Sequence, residues 1–120
     1  MLKAVVLLRR KPGLTFEQFK HHYETNHVPL VRKALPTIGK YVRNYLDLNS
    51  VSAGRQEGGT DDAPTPYFDV ITEVWFDDDA AYQGFVDALS DPATSEMLRE
   101  DEERFLDRSI VQTYAVEECE

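Results

Sequence analysis

His27 is the residue in this sequence best suited to acid–base chemistry. An imidazole titrates near neutral pH, so it can take or give a proton with little penalty in driving force. His27 lies on a stripe of Phe16, Phe19, Tyr23, His27 and Leu30, whose spacing of three and four residues describes one face of a helix. The alternative role is structural, a ring closing the helix C-terminus, where a cation is also favourable. Tyr23 and Tyr41 carry hydroxyls that could bond a substrate oxygen or His27, although a buried tyrosine finds a partner whatever its role. Asp69 and Glu73 share one face of an alternating segment. Two carboxyls facing a closed space divide into acid and base; otherwise one of them pairs with Arg43 as a salt bridge. Trp75, on the same face, offers a flat apolar wall to an aromatic ligand or to a second subunit.

Other chemistries find no support in the spacing. His21, His22 and His27 are the only histidines. Neighbours 21 and 22 point about 100° apart on a helix, and 22 and 27 share an α-helical face poorly, so no metal site is expected. There is no His-Glu-x-x-His, glycine-rich phosphate loop or nucleophile elbow. Asn49-Ser50-Val51 is not a glycosylation acceptor.

These residues need elements to hold them. Leu2 to Arg9 reads as a buried strand ended by Pro12-Gly13. Thr15 with Gln18 forms a capping box, and Leu14 with Phe19 a hydrophobic staple. Pro29 should kink or end the helix near His27. Val31 to Leu35 reads as a short further turn, closed by Pro36 and Gly39. Lys40 to Leu48 is a second strand, with Tyr41, Arg43, Tyr45 and Asp47 on one face. Asn49 to Pro66 is an eighteen-residue polar loop, long enough to suggest a lid. Tyr67 to Phe76 is the clearest strand, Phe68, Val70, Thr72, Val74 and Phe76 alternating with Asp69, Ile71, Glu73 and Trp75. Asp77-Asp78-Asp79 caps a helix over Ala80 to Leu89. Asp91-Pro92 breaks it, and Thr94 to Phe105 continues helical on Met97, Leu98 and Phe105. Ser109 to Val116 is the last strand.

This order predicts an α+β sandwich of the split βαβ kind, a four-stranded antiparallel sheet with helices on one face. On the other face Tyr41, Arg43 and Tyr45 would lie beside Asp69, Glu73 and Trp75. A face so mixed asks for cover, most simply by a second copy.

At 120 residues, 42% apolar and 29% charged, the chain reads as one soluble domain spanning 1–120. No apolar run is long enough to span a membrane, and the N-terminal residues do not read as a secretory signal. A single cysteine, Cys119, fits a reducing cytoplasm. The net charge of −9 argues against a nucleic-acid partner. The charge is uneven, +7 over residues 1–45 and −16 over 46–120, which reads mainly as solvated faces.

Arg9-Arg10-Lys11-Pro12-Gly13-Leu14-Thr15, then Glu17, Phe19, His22, Tyr23, His27, Pro29 and Leu30, resembles the opening of the EthD family, within the dimeric α+β-barrel superfamily. The resemblance continues at Tyr41-Val42-Arg43-Asn44, at Phe68-Asp69 and Glu73-Val74-Trp75-Phe76-Asp77, and at Asp101-Glu102-Glu103-Arg104-Phe105-Leu106-Asp107. It implies a ferredoxin-like subunit pairing through its sheet into a dimeric barrel, with a lumen that serves as the pocket. It also implies proton transfer by the histidine that ends the first helix, here His27. The resulting expectation is a cofactor-free homodimeric enzyme. It would act on a small apolar or aromatic carbonyl compound by decarboxylation, dehydration, cyclisation or isomerisation. His27, Tyr23 and Tyr41 would be catalytic, and Asp69, Glu73, Trp75 and Arg43 would contact the substrate. The competing expectation is a non-catalytic dimer that binds an apolar ligand or haem.

Overall fold

The structure, a computed structural model, describes residues 2–47 and 68–120. The expected loop Asn49–Pro66 lies outside the described residues. The elements run β1 (Leu2–Leu8), α1 (Phe16–His22), a π-helical turn (Tyr23–His27), α2 (Val28–Ala34), β2 (Lys40–Tyr45), β3 (Val70–Phe76), α3 (Asp79–Ser90), α4 (Pro92–Phe105), a 3₁₀ turn (Arg108–Ile110) and β4 (Gln112–Val116). The strands form one sheet in the order β2-β3-β1-β4, each neighbouring pair antiparallel.

Local chemistry accounts for the ends of these elements. Gly13, at φ +95°, takes the left-handed turn after β1 that other residues resist. The capping box forms as expected. Thr15 Oγ1 accepts from Gln18 N at 3.1 Å and Gln18 Oε1 accepts from Thr15 N at 2.9 Å. Asp78 caps α3. Asp91 both ends α3 and caps α4, whose first residue is Pro92, so α4 starts two residues earlier than expected. Residues 109–110 are 3₁₀ rather than strand.

Register decides what each sheet face carries. Tyr41, Arg43 and Tyr45 stand opposite Val74, Thr72 and Val70. They therefore share the helix-covered face with Ala4, Val6 and Leu8. Lys40, Val42 and Asn44 stand opposite Trp75, Glu73 and Ile71. Together with Lys3, Val5 and Leu7 they make the outer face. The expectation that Tyr41, Arg43 and Tyr45 flank Glu73 and Trp75 is thus corrected. Strand alternation fixes which residues share a face within one strand, but a one-residue shift of register exchanges the faces between strands.

The core lies between the helices and the sheet. Phe19, Val70, Phe76 and Phe105 are fully buried, each phenylalanine worth about 1.5–3 kcal/mol of burial. Met97, expected to pack, is 40% exposed, while Leu98 beside it is buried. No helix among the described residues is long and apolar enough to cross a membrane.

Candidate functional site

The chain does not stop at Pro29. It runs helically from Phe16 to Ala34 by widening one turn. A proline ring strikes the carbonyl four residues earlier in an α-helix and supplies no N–H. Here the Val28 N–H bonds to the Tyr23 carbonyl, five residues back, which opens the helix just before the proline. The widening changes which side chains align. Residues five apart diverge by about 140° on an α-helix, and the wider π turn, closed by an i→i+5 bond, brings them toward the same side. His22 and His27 therefore face the same way, contrary to the α-helical expectation.

Both histidines meet Asp101 of α4. His27 Nδ1 lies 2.9 Å from Asp101 Oδ2, and His22 Nε2 lies 2.9 Å from Oδ1. Arg104 Nη1 donates to Oδ1 at 3.2 Å. Burial acts to raise the Asp101 carboxyl, but the hydrogen bonds from His27 and His22 outweigh it and hold the group below its ordinary value. An ionised carboxylate only accepts, so His27 carries its proton on Nδ1. Burial pushes the His27 imidazole down against the pull of Asp101, keeping it neutral at pH 7. Nε2 then holds a free lone pair. It has no protein partner among the described residues, and none of their buried side-chain nitrogens or oxygens is left unbonded. The unbonded Nε2 is therefore not fully buried, and the ring lines a cavity. Phe105 packs against the rings of His22, His27 and Tyr23 at 4.8, 4.9 and 5.4 Å between centroids, which fixes their orientation.

Beside His27 runs a chain of three hydroxyls. Tyr41 donates to Tyr23 at 3.1 Å, and Tyr23 Oη lies 2.8 Å from Thr72 Oγ1. Burial raises both tyrosines, so they stay protonated. Three O–H groups serve two bonds. One proton, on Tyr23 or Thr72, is left to donate to a ligand oxygen.

His27, Tyr23, Tyr41 and Thr72 all line a cavity of about 190 Å³ between sheet and helices of the single chain. Its other walls are chiefly apolar, from Val6 and Leu8 of β1, Val31 and Leu35 of the second helical segment, and Val74 of β3. Leu89 and Val111, both partly exposed, mark its open side. A cavity of about 150 Å³ holds benzene, so one substituted ring fits here. This cavity lies within one chain, on the opposite side of the sheet from the outer face that a lumen between two sheets would use.

The remaining predicted residues lie elsewhere. Arg43 donates to both Glu24 oxygens at 2.9 and 2.8 Å, and Tyr45 donates to the same carboxylate at 2.6 Å. The partner of Arg43 is thus Glu24, neither Asp69 nor Glu73. Asp69 Oδ2 accepts from the Arg10 N–H at 2.8 Å, tying the start of β3 to the end of β1. Glu73 pairs with Lys3 and accepts from Asn44 on the outer face. Trp75 lies there too, with Lys3 and Lys40 ammonium groups 4.6 and 4.7 Å from its ring. Asp69 and Glu73 thus hold different partners, and none of Asp69, Glu73, Trp75 and Arg43 lines this cavity.

Sequence reasoning did not single out Asp101, Thr72 or Glu102 as site residues. Asp101 sits in an acidic run, Asp101-Glu102-Glu103, which reads as solvent-facing; its burial, with only 4% exposed, was the missing signal. No group of three or more His, Cys, Asp or Glu among the described residues could hold a metal ion.

A family model for the EthD domain matches residues 11–109, and the chain belongs to the EthD family. Among curated proteins there is no match. Solved structures share the fold at low identity. An EthD family protein of Bacillus halodurans is 19% identical, with a TM-score of 0.61, covering 99% of this chain and 100% of that one. A hydroxynitrile lyase from Passiflora edulis is 17% identical, TM-score 0.56, covering 98% and 94%. A protein of unknown function from Thermobifida fusca, described as dimeric and ferredoxin-like, is 12% identical, TM-score 0.50, covering 96% and 90%. The fold is ferredoxin-like, of the α+β class.

Proposed function

We propose that this chain is a cofactor-free acid–base enzyme acting on a small apolar or aromatic carbonyl compound in the cavity between its sheet and helices. The observation that carries this reading is His27. Its pKa is held down by burial, its Nδ1 is fixed by Asp101, its Nε2 has no partner among the described residues, and its ring lines an apolar cavity. Nε2 takes a proton from a carbon next to the carbonyl or from a hydroxyl. The resulting imidazolium is stabilised by Asp101. The spare proton of the Tyr23–Thr72–Tyr41 chain bonds the substrate oxygen where negative charge develops. The apolar walls exclude water, which strengthens both interactions. Decarboxylation, dehydration, cyclisation and isomerisation all draw on these parts. So does cleavage of a hydroxynitrile, which begins with a base at the hydroxyl and accords with the Passiflora edulis neighbour. The functional unit in this reading is a homodimer paired through the outer sheet face, in keeping with the dimeric description of a structural neighbour.

The test uses 4-phenylbutan-2-one in D₂O, with exchange of its α-protons followed by NMR, and benzaldehyde cyanohydrin, with release of the aldehyde followed by absorbance. Wild type should accelerate at least one. His27→Ala should lower that rate by about 10²-fold or more. Equal rates in the two proteins would remove His27 from the mechanism.

A non-catalytic reading rests on the same apolar walls. The cavity would then bind 4-phenylbutan-2-one equally well in wild type and His27→Ala, with no exchange in either.

A further inference from the structure

Glu102 is the one carboxyl residue lining the cavity among the described residues. It follows Asp101 on α4, so helix geometry turns it about 100° from the His22–His27 pair. Its Oε1 accepts from Arg108 Nη1 of the 3₁₀ turn at 3.1 Å. Its Oε2 has no partner among the described residues, and its side chain is 25% exposed. A carboxyl placed in an apolar wall with one exposed arginine as partner is an expensive feature if its only role is structural.

We propose that Glu102 is the acid of this site, so that the cavity holds a base and an acid and its substrate is a β-hydroxy carbonyl compound that loses water. The inference rests on the proposed role of His27 as base. Nε2 of His27 takes the proton from the α-carbon, and that C–H electron pair forms the α,β double bond. The β-carbon–oxygen bond breaks with its electrons on oxygen. That oxygen takes the Glu102 proton and leaves as water. The enzyme is left with an imidazolium and a carboxylate, and one proton passing from His27 to Glu102 through solvent restores it. No co-reactant is needed.

The electrostatics favour this division. Burial raises the Glu102 carboxyl, Arg108 lowers it, and the Asp101 carboxylate raises it again, for a net rise. The charged and titratable groups around Glu102 are Arg108 of the 3₁₀ turn, bonded to it, Asp101 beside it on α4, and His27, Tyr23 and Tyr41, which line the same cavity. His27 is shifted the opposite way, down. Two titratable groups lining one cavity, the imidazole shifted down and the carboxyl shifted up, are the arrangement that divides acid and base roles.

The test compares dehydration of 4-hydroxy-4-phenylbutan-2-one, read by absorbance of the conjugated product, with α-proton exchange of 4-phenylbutan-2-one, which has no leaving group. Glu102→Gln should lower dehydration about 10²-fold and lower exchange at least tenfold less than that. The wild-type dehydration rate should fall as pH rises and Glu102 ionises, and this alkaline fall should vanish in Glu102→Gln. Wild-type rates in Glu102→Gln, equal losses of both reactions, or an unchanged alkaline fall would each overturn the proposal. A wild type that exchanges without dehydrating also overturns it while leaving His27 as base. A wild type that does neither overturns both.

Discussion

The Nδ1 atom of His27 and the Oδ2 atom of Asp101 lie 2.9 Å apart, and the second oxygen of the same carboxylate is held by His22 and Arg104. The carboxylate is therefore fixed before it fixes the imidazole. Its function, in the proposed reading, is to hold one tautomer and steady the imidazolium that forms. Asp101→Asn keeps the shape and removes the charge. It should lower exchange of 4-phenylbutan-2-one by about 10²-fold. Because the two residues act as a unit, Asp101→Asn combined with His27→Ala should be little slower than His27→Ala alone. Multiplied losses in the double variant would show that the two act separately.

The same pair makes stability depend on pH. His27 has its folded pKa lowered below the ordinary histidine value. As pH falls from about 6.5 the unfolded chain takes up a proton there that the folded chain resists, so stability drops. Asp101, also lowered, adds a further loss at lower pH, beginning below about 4. Melting temperature should fall between pH 7 and pH 5, and His27→Gln should flatten this fall. An equal slope in the variant would mean that another group carries the dependence.

Phe105 is fully buried and its ring packs against Phe19, His22, Tyr23 and His27. Phe105→Ala should cost about 3–5 kcal/mol in denaturant unfolding. Phe105→Leu keeps much of the volume and should cost less. It should still slow exchange, because the His27 ring loses the flat wall that orients it. Phe105→Leu with full activity would show that Asp101 alone orients His27.

Helix starts were legible because they are local. Thr15 with Gln18, and the acids before α3, act within four residues of themselves. His27, Tyr23 and Tyr41 were legible too, the first two through spacing on one stripe, and all three line the cavity. Tyr41, Arg43 and Tyr45 were set beside Glu73 and Trp75 because face identity depends on register between strands far apart in sequence. The alignment of His22 with His27 was hidden for another reason. An α-helical wheel excludes it, and only the widened turn before Pro29 permits it. Asp101 was missed because burial of an acid in an acidic run is a tertiary fact.

The outer sheet face carries the remaining prediction. Val5, Leu7 and Ile71 lie there half-buried on the two central strands, with the Lys3–Glu73 pair and Trp75 beside them. In the proposed homodimer this face is covered by a second copy, and sedimentation should give twice 13.8 kDa. Ile71→Lys sets a charge amid that face and should shift the species toward a monomer. The cavity lies on the opposite side of the sheet and takes its described walls from one chain. An Ile71→Lys monomer that keeps its melting cooperativity should therefore still bind 4-phenylbutan-2-one, within about tenfold of wild type. Loss of binding in a folded monomer would mean that the second copy completes the site. A wild type that sediments as a monomer at micromolar concentration would remove the dimer from the reading and leave the His27–Asp101 chemistry to stand within one chain.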